Sequence, residues 1–313
     1  MNQNAEVIFM MCSHLQTDAS IKPYEPAEWS KLAQILLDAD LQPSDLTTLT
    51  EAELRDLYLD TMEINRIKQL LGRGGSLSFA LEQYENMGIS VVTRADALYP
   101  KSLKLRLGKS CPPLFYYAGN LQLAGKKAIG FVGARGADDH DRQFTESTVS
   151  TVNSLGFAVV SGGARGVDTM ASSAAIRNGS AAISYLADSL IKQIRNRENI
   201  SAIQNNQLLL LSAVKPDMGF TAGTAMMRNR YIYAQSDGTV VVRSDYKKGG
   251  TWNGAVDCIK HKICPVLCWN KSEYRGNQEL IRMGAVPIDT DWSGDLSALP
   301  VKEEDPIQLT LFD

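Results

Sequence analysis

The 313-residue sequence predicts an α/β protein in which a small helical domain precedes a doubly wound, mostly parallel sheet. Three observations predict it. Short, nearly continuous apolar runs recur at 128–132, 157–160, 181–186, 207–212, 239–243 and 265–269, the pattern of strands buried on both faces. Helical patterns at 139–155, 167–178, 222–235 and 251–261 separate them, and such alternation builds a parallel sheet with helices on both sides. The first two runs each break into a glycine-rich turn that carries an arginine, Gly133-Ala134-Arg135-Gly136 and Ser161-Gly162-Gly163-Ala164-Arg165-Gly166-Val167-Asp168. Strand, glycine turn and helix in that order form the repeating unit of such sheets.

From the start of the chain, residues 1–20 show only a weak pattern. Helical spacing begins after Pro26, with Trp29, Leu32, Ile35 and Leu36 on one face and Leu54, Leu57 and Tyr58 on another. Ser44-Asp45 and Thr50-x-x-Glu53 read as helix starts, the second a capping box. Residues 1–88 therefore form the helical domain. Its turn Leu70-Leu71-Gly72-Arg73-Gly74-Gly75 resembles a helix-hairpin-helix contact to DNA, but a plain interhelical loop is the better reading. Residues 88–93 read as a strand and 112–120 as a structured connector; the sheet domain spans 89–290 and an acidic tail occupies 291–313.

Composition excludes several classes. No stretch approaches the roughly 20 apolar residues of a membrane span, and the first residues do not resemble a signal peptide. Five cysteines, an odd and small number, suit a reduced cytoplasm better than a disulfide framework. The net charge is −3, but it is unevenly spread. Residues 1–60 carry three Lys/Arg against eleven Asp/Glu and residues 291–313 one against six, whereas 61–290 carry 28 against 18. A basic middle between acidic ends suits a central domain that meets a polyanion.

The candidate site follows from the glycine turns. Glycines let backbone amides approach an anion, a helix N-terminus adds partial positive charge, and arginine grips phosphate in bidentate fashion. Arg135 and Arg165 are the foremost candidates. Asp168 either positions Arg165 or caps the helix it opens. Arg228-Asn229-Arg230 adds two more basic residues, and Asn229 is expected to bond a loop. Adjacent helical residues point about 100° apart, so Arg228 and Arg230 meet one phosphate only at a helix start. Lys248-Gly249-Gly250 offers another basic helix start, while Phe220 and Trp252 either stack bases, at about 1–3 kcal/mol each, or belong to the core.

Other chemistries lack their residues. There is neither G-x-G-x-x-G nor G-x-x-x-x-G-K-[ST]. Cys258, His261, Cys264 and Cys268 contain no C-x-x-C pair, so no metal and no cofactor is expected. His140, between Asp139 and Asp141, reads as a solvated helix start, and no catalytic constellation stands out. In the tail, Gln308, Leu309, Leu311 and Phe312 are isolated by acidic residues and Pro306. They resemble the short peptide with which bacterial replication and repair proteins dock on the sliding clamp; a tail that folds back onto its own domain, or serves as a final strand, is the competing reading.

A set of motifs runs in order along the chain: Tyr99-Pro100 with Leu103, Pro113-Leu114-Phe115-Tyr116 with Gly119-Asn120, Val132-Gly133-x-Arg135, and Ser161-Gly162-x-Ala164-Arg165-Gly166-x-Asp168, followed by Arg228-Asn229-Arg230, Ser236-Asp237, Lys248-Gly249-Gly250-Thr251 and Gly276-Asn277 with Leu280-Ile281-x-x-Gly284-Ala285. Together they resemble the DprA/Smf family. The resemblance implies an extended Rossmann fold, sequence-independent binding of single-stranded DNA, a homodimer, and delivery of the recombinase RecA to that DNA. On these positions it implies DNA contacts from Gly133, Arg135, Ser161, Gly162, Arg165, Arg228, Arg230, Lys248 and Gly249. Two segments depart from the family pattern, Ala187-Asp188-Ser189-Leu190-Ile191-Lys192 and Ser212-Ala213-Val214-Lys215-Pro216. They leave open a regulatory protein of a mobile-element or phage-defence module that restrains a cognate toxin. A nucleotide-processing Rossmann enzyme is a further alternative, though Lys248-Gly249-Gly250-Thr251-Trp252 lacks the glutamate of that group's loop.

Overall fold

Asn2 begins the first helix by accepting the Ala5 amide at 2.8 Å, and α1 (Gln3–Cys12) is buried from Val7 to Cys12. Six consecutive buried residues show no amphipathic period, which is why this stretch reads as weakly patterned. The computed structural model describes residues 1–14 and 21–296. They divide into two compact units, the first ending at Tyr117 and the second beginning at Ala118.

The first unit continues with α2 (Pro26–Asp38), α3 (Glu51–Asp56), α4 (Thr61–Leu71) and α5 (Gly74–Asn86). Trp29, Leu32 and Leu36 face its interior as their spacing implies, and the Thr50–Glu53 capping box opens α3. Tyr58 does not join Leu54 in the core. Because α3 stops at Asp56, Tyr58 lies beyond the helical period, at φ +60° and 98% exposed. Arg73, in the turn between α4 and α5, is buried and donates to the carbonyls of Met10 and Ser13. It is therefore a structural arginine. The other expected start, Ser44-Asp45, lies inside a 3-10 turn that begins at Pro43.

β1 (Ser90–Thr93), α6 (Lys101–Leu107) and β2 (Leu114–Gly119) follow, β1 pairing antiparallel with β2 through Val91 opposite Tyr116. The expected connector is thus a strand. Tyr116 meets Phe9 and Tyr84 edge-on at 6.1 and 5.3 Å, and Tyr99 lies 5.7 Å from Phe115. These aromatic contacts group residues 89–117 with the helices, so the compact division falls beyond the expected 88/89 border.

The second unit holds β3 (Ala128–Val132), α7 (Asp139–Ser154), β4 (Ala158–Ser161), α8 (Val167–Arg177), β5 (Ala182–Tyr185), α9 (Leu190–Gln193), α10 (Arg197–Gln204) and β6 (Leu208–Ser212). After them come α11 (Ala222–Gln235), β7 (Gly238–Val241), α12 (Gly249–His261), β8 (Val266–Trp269), α13 (Arg275–Arg282) and β9 (Val286–Ile288). Its strands are ordered β6-β5-β4-β3-β7-β8-β9 and every pair is parallel. This is the doubly wound sheet that the apolar runs predict. β3 to β8 are buried along their whole length, which explains why they read as continuous runs. In this unit α9, α10, α13 and β9 go beyond the predicted elements. β9 has three residues, one of them proline, too few to show an alternation.

Candidate nucleic-acid interface

Parallel strands place all their carboxyl ends on one edge of the sheet. The chain runs outward from β3 through β4 and β5 to β6, then returns to the other side at β7, so the order reverses between β3 and β7. Loops leaving that point diverge, and the crevice between them is where open α/β sheets hold ligands. Gly133 to Arg135 follow β3, Gly162 to Gly166 follow β4, and Lys248-Gly249 opens α12 after β7.

The floor of the crevice is built by residues turned inward. Ser161 is buried and donates its hydroxyl to the Phe131 carbonyl at 2.8 Å, tying β4 to β3. Arg228, 6% exposed on α11, donates from Nη1 to Asp168 Oδ2 at 3.1 Å. The Ala164 amide donates to the same oxygen at 3.4 Å. Burial pushes the Asp168 carboxyl above its ordinary pKa, against the opposing pull of the Arg228 guanidinium. Gly162 faces this pair so closely that a Cβ would come within 1.2 Å of Arg228 Nη1. Asp168 therefore holds Arg228, and α8 follows Gly166 as its N-cap, with no side-chain cap. Ser161, Gly162 and Arg228, expected as DNA contacts, shape the loop from beneath: all three are buried, the Ser161 hydroxyl is taken by Phe131 and Arg228 Nη1 by Asp168, while Arg228 Nε has no hydrogen-bond partner among the described residues.

Gly166, at φ +83°, leaves room for the Ala134 carbonyl oxygen, which a Cβ would meet at 2.3 Å. Gly133 likewise lies against Val167, so the two glycine turns abut. Their arginines, Arg135 and Arg165, stand on the outside, both exposed. Neither forms an ion pair among the described residues. The Arg135 guanidinium carbon lies 4.9 Å from the centroid of the Phe220 ring, itself 51% exposed. Met218, Met226 and Met227 are exposed on the segment that carries Phe220.

Lys248 and Gly249 complete the lip at the start of α12, both exposed, with Gly249 at φ +77°. Thr251 Oγ1 donates to the Gly133 carbonyl at 3.0 Å, joining this helix to the loop after β3. Asn229 donates to the Gly250 carbonyl at 3.1 Å, the loop bond expected of it. Arg230 is separated from the lip. Two positions along α11 from Arg228, it turns about 200° away, and its Nε lies 3.2 Å from Asp257 Oδ2 on α12. Trp252 is buried, edge-on to Tyr246 at 5.1 Å, and belongs to the core.

The two segments that depart from the family pattern meet each other. Ser189 Oγ and the Ile191 amide donate to the Pro216 carbonyl at 3.0 and 3.1 Å, and Thr224 Oγ1 donates to the Ala187 carbonyl at 3.1 Å. They form a single wall beside the start of α11. All five cysteines are buried, Cys258 and Cys264 with sulfurs 3.7 Å apart. No described helix is long and apolar enough to cross a membrane. Gln308, Leu309, Leu311 and Phe312 lie outside the described residues.

Comparison with known proteins bears on this arrangement. The family model described as DNA recombination-mediator protein A matches residues 90–293. The chain is 28% identical over 207 residues to DNA processing protein DprA of Bacillus subtilis (strain 168), covering 65% of this chain and 66% of that protein. It is 30% identical over 254 residues to protein Smf of Synechocystis sp., covering 71% and 61%. The matches thus span less than two thirds of the length of these relatives. Among solved structures, DprA of Streptococcus pneumoniae superimposes with a TM-score of 0.74 over 96% of this chain and 99% of its own, at 20% identity. DNA processing protein A of Helicobacter pylori, whose structure concerns its single-stranded DNA binding mode, gives a TM-score of 0.54 at 25% identity, covering 64% and 90%.

Proposed function

This chain belongs to the DNA recombination-mediator protein A (DprA/Smf) family, and from that premise we propose that it binds single-stranded DNA along the carboxyl edge of its parallel sheet. One observation carries the reading: Arg135, free of carboxylate partners among the described residues, lies over the exposed ring of Phe220 at the point where strand order reverses. A guanidinium binds phosphate, while an open aromatic face binds an unpaired base, a surface that a duplex keeps stacked inside. Arg135, Arg165, Lys248 and the Gly133 and Gly249 backbones are the proposed contacts, with Phe220 as the stacking platform. Ser161, Gly162 and Arg228 act as positioning residues, and Arg230 lies outside the contact set.

The test is an anisotropy titration of single- and double-stranded oligonucleotides at two salt concentrations. Single strands are expected to bind more tightly, with log affinity falling linearly in log salt. Equal affinity for both forms, or affinity indifferent to salt, overturns the reading. The H. pylori relative is described as a single-strand binder, and the family description extends the proposal to handing the bound strand to a recombinase. Faster assembly of RecA on DNA in the presence of this protein is the expected result, checked by RecA's DNA-dependent ATP hydrolysis.

A further inference from the structure

The lip continues past β7. Following Lys248 backwards, Lys247 is exposed and held at φ +57°, a conformation that a residue with a Cβ adopts only under constraint. Its ammonium lies 5.1 Å from the centroid of the Tyr246 ring. The Arg275 guanidinium, at the start of α13, lies 4.4 Å from the same centroid. One tyrosine thus carries two cations on neighbouring strand-end loops, and the edge of Trp252 fixes its ring.

This arrangement is built in from below. Asn277, fully buried, accepts the Ser244 amide at 2.9 Å and donates to the carbonyls of Val242 and Trp269 at 2.9 and 3.0 Å. It therefore joins the ends of β7 and β8. Gly276 brings α13 against the same loop, since a Cβ there would meet the Ser244 carbonyl oxygen at 2.0 Å. The Gly276-Asn277 pair, which the crevice at β3 leaves without a role, thus sets Arg275 beside Tyr246. Arg243, nearby, is neutralised by Asp138 and Asp141 at 3.4 and 3.2 Å. Lys247, Lys248 and Arg275 form no ion pair among the described residues, although exposed Asp245 and Glu273 share these loops.

The strand order β4-β3-β7-β8 then lines up Arg165, Arg135, Lys247 with Lys248, and Arg275 along one edge. At about 4.8 Å per strand, the row from β4 to β8 runs roughly 14 Å. We propose that Lys247, Tyr246 and Arg275 form a second subsite for the sugar-phosphate chain, taking nucleotides that extend from the crevice beyond β7. This rests on the single-strand reading above, and it makes affinity depend on oligonucleotide length.

The experiment measures anisotropy with oligothymidylates of about four and about twelve nucleotides. Wild type is compared with Arg275→Ala, Lys247→Ala and Arg135→Ala, each checked for an unchanged melting temperature. Arg275→Ala and Lys247→Ala are expected to leave the short oligonucleotide alone, while lowering the salt slope for the long one by about 0.7 per lost contact. Arg135→Ala weakens both lengths, and Arg275→Lys retains most of the long-oligonucleotide affinity. Unchanged binding of the long oligonucleotide by Arg275→Ala and Lys247→Ala, with wild type binding both, overturns the second subsite alone. Equal weakening at both lengths also overturns it, placing Arg275 in the first subsite. Loss of all binding by wild type overturns the single-strand reading, and the subsite with it.

Discussion

Arg228 and Arg135 belong to the same set of motifs, yet they face opposite ways. Arg228 lies beneath the glycine turns, paired with Asp168 and 6% exposed. Arg135 stands above them against Phe220, with no carboxylate partner among the described residues. The same guanidinium therefore does two jobs. Below, its charge is cancelled by Asp168 inside the loop; above, no carboxylate among the described residues cancels it, as the proposed DNA contact requires. A motif shared across a family mixes residues that build a site with residues that meet its ligand, and only the second group is expected to govern salt dependence.

The strongest way to break this contrast is to remove the inward charge. Arg228→Ala strands the buried Asp168 carboxylate, and the expected loss is about 3–5 kcal/mol of stability, read from the denaturant midpoint. Replacing both partners by apolar residues, Arg228→Met with Asp168→Leu, is expected to recover most of that loss. If Arg228→Ala leaves the midpoint unchanged and abolishes DNA binding, the two arginines do not differ in role.

Phe220→Ala comes next. A lost stacking platform costs about 1–3 kcal/mol of binding free energy, with the salt slope unchanged because no charge is removed. Arg135→Ala has the opposite signature: the salt slope falls by about 0.7 for one phosphate contact, while the midpoint stays put. Measuring affinity at several salt concentrations for both variants separates them.

The smallest effect lies beside the lip. Asp138 caps α7 by accepting the Asp141 and His140 amides at 3.0 and 2.9 Å, and these bonds hold its carboxyl below the ordinary value. A group depressed in the folded state contributes stability above its unfolded pKa and loses it as pH falls through the folded one. Asp138→Asn is therefore expected to flatten the acid side of a melting-temperature profile slightly, with little change near neutrality.

The two halves of the molecule also differ in how plainly the sequence declares them. From Ala128 to Trp269 the runs that read as strands are strands, because a strand buried on both faces needs apolar residues throughout. The first unit is less legible. The six consecutive buried residues of α1 leave no amphipathic period to reveal it, and β2 reads as a connector because its burial is completed by Phe9 and Tyr84, distant in sequence. Tyr246 and Arg275 escape sequence reasoning altogether, since their pairing depends on Gly276 and Asn277 drawing two loops together.

The sequence by itself determined the parallel doubly wound sheet, the position of the glycine turns, and the concentration of basic residues in the middle of the chain. These are matters of period, composition and local backbone freedom, which neighbouring residues decide. Only the tertiary structure decided which arginines face outward. Arg228 meets its carboxylate 60 residues away in the chain, and a side chain's direction follows from what occupies the space around it, which no local pattern records.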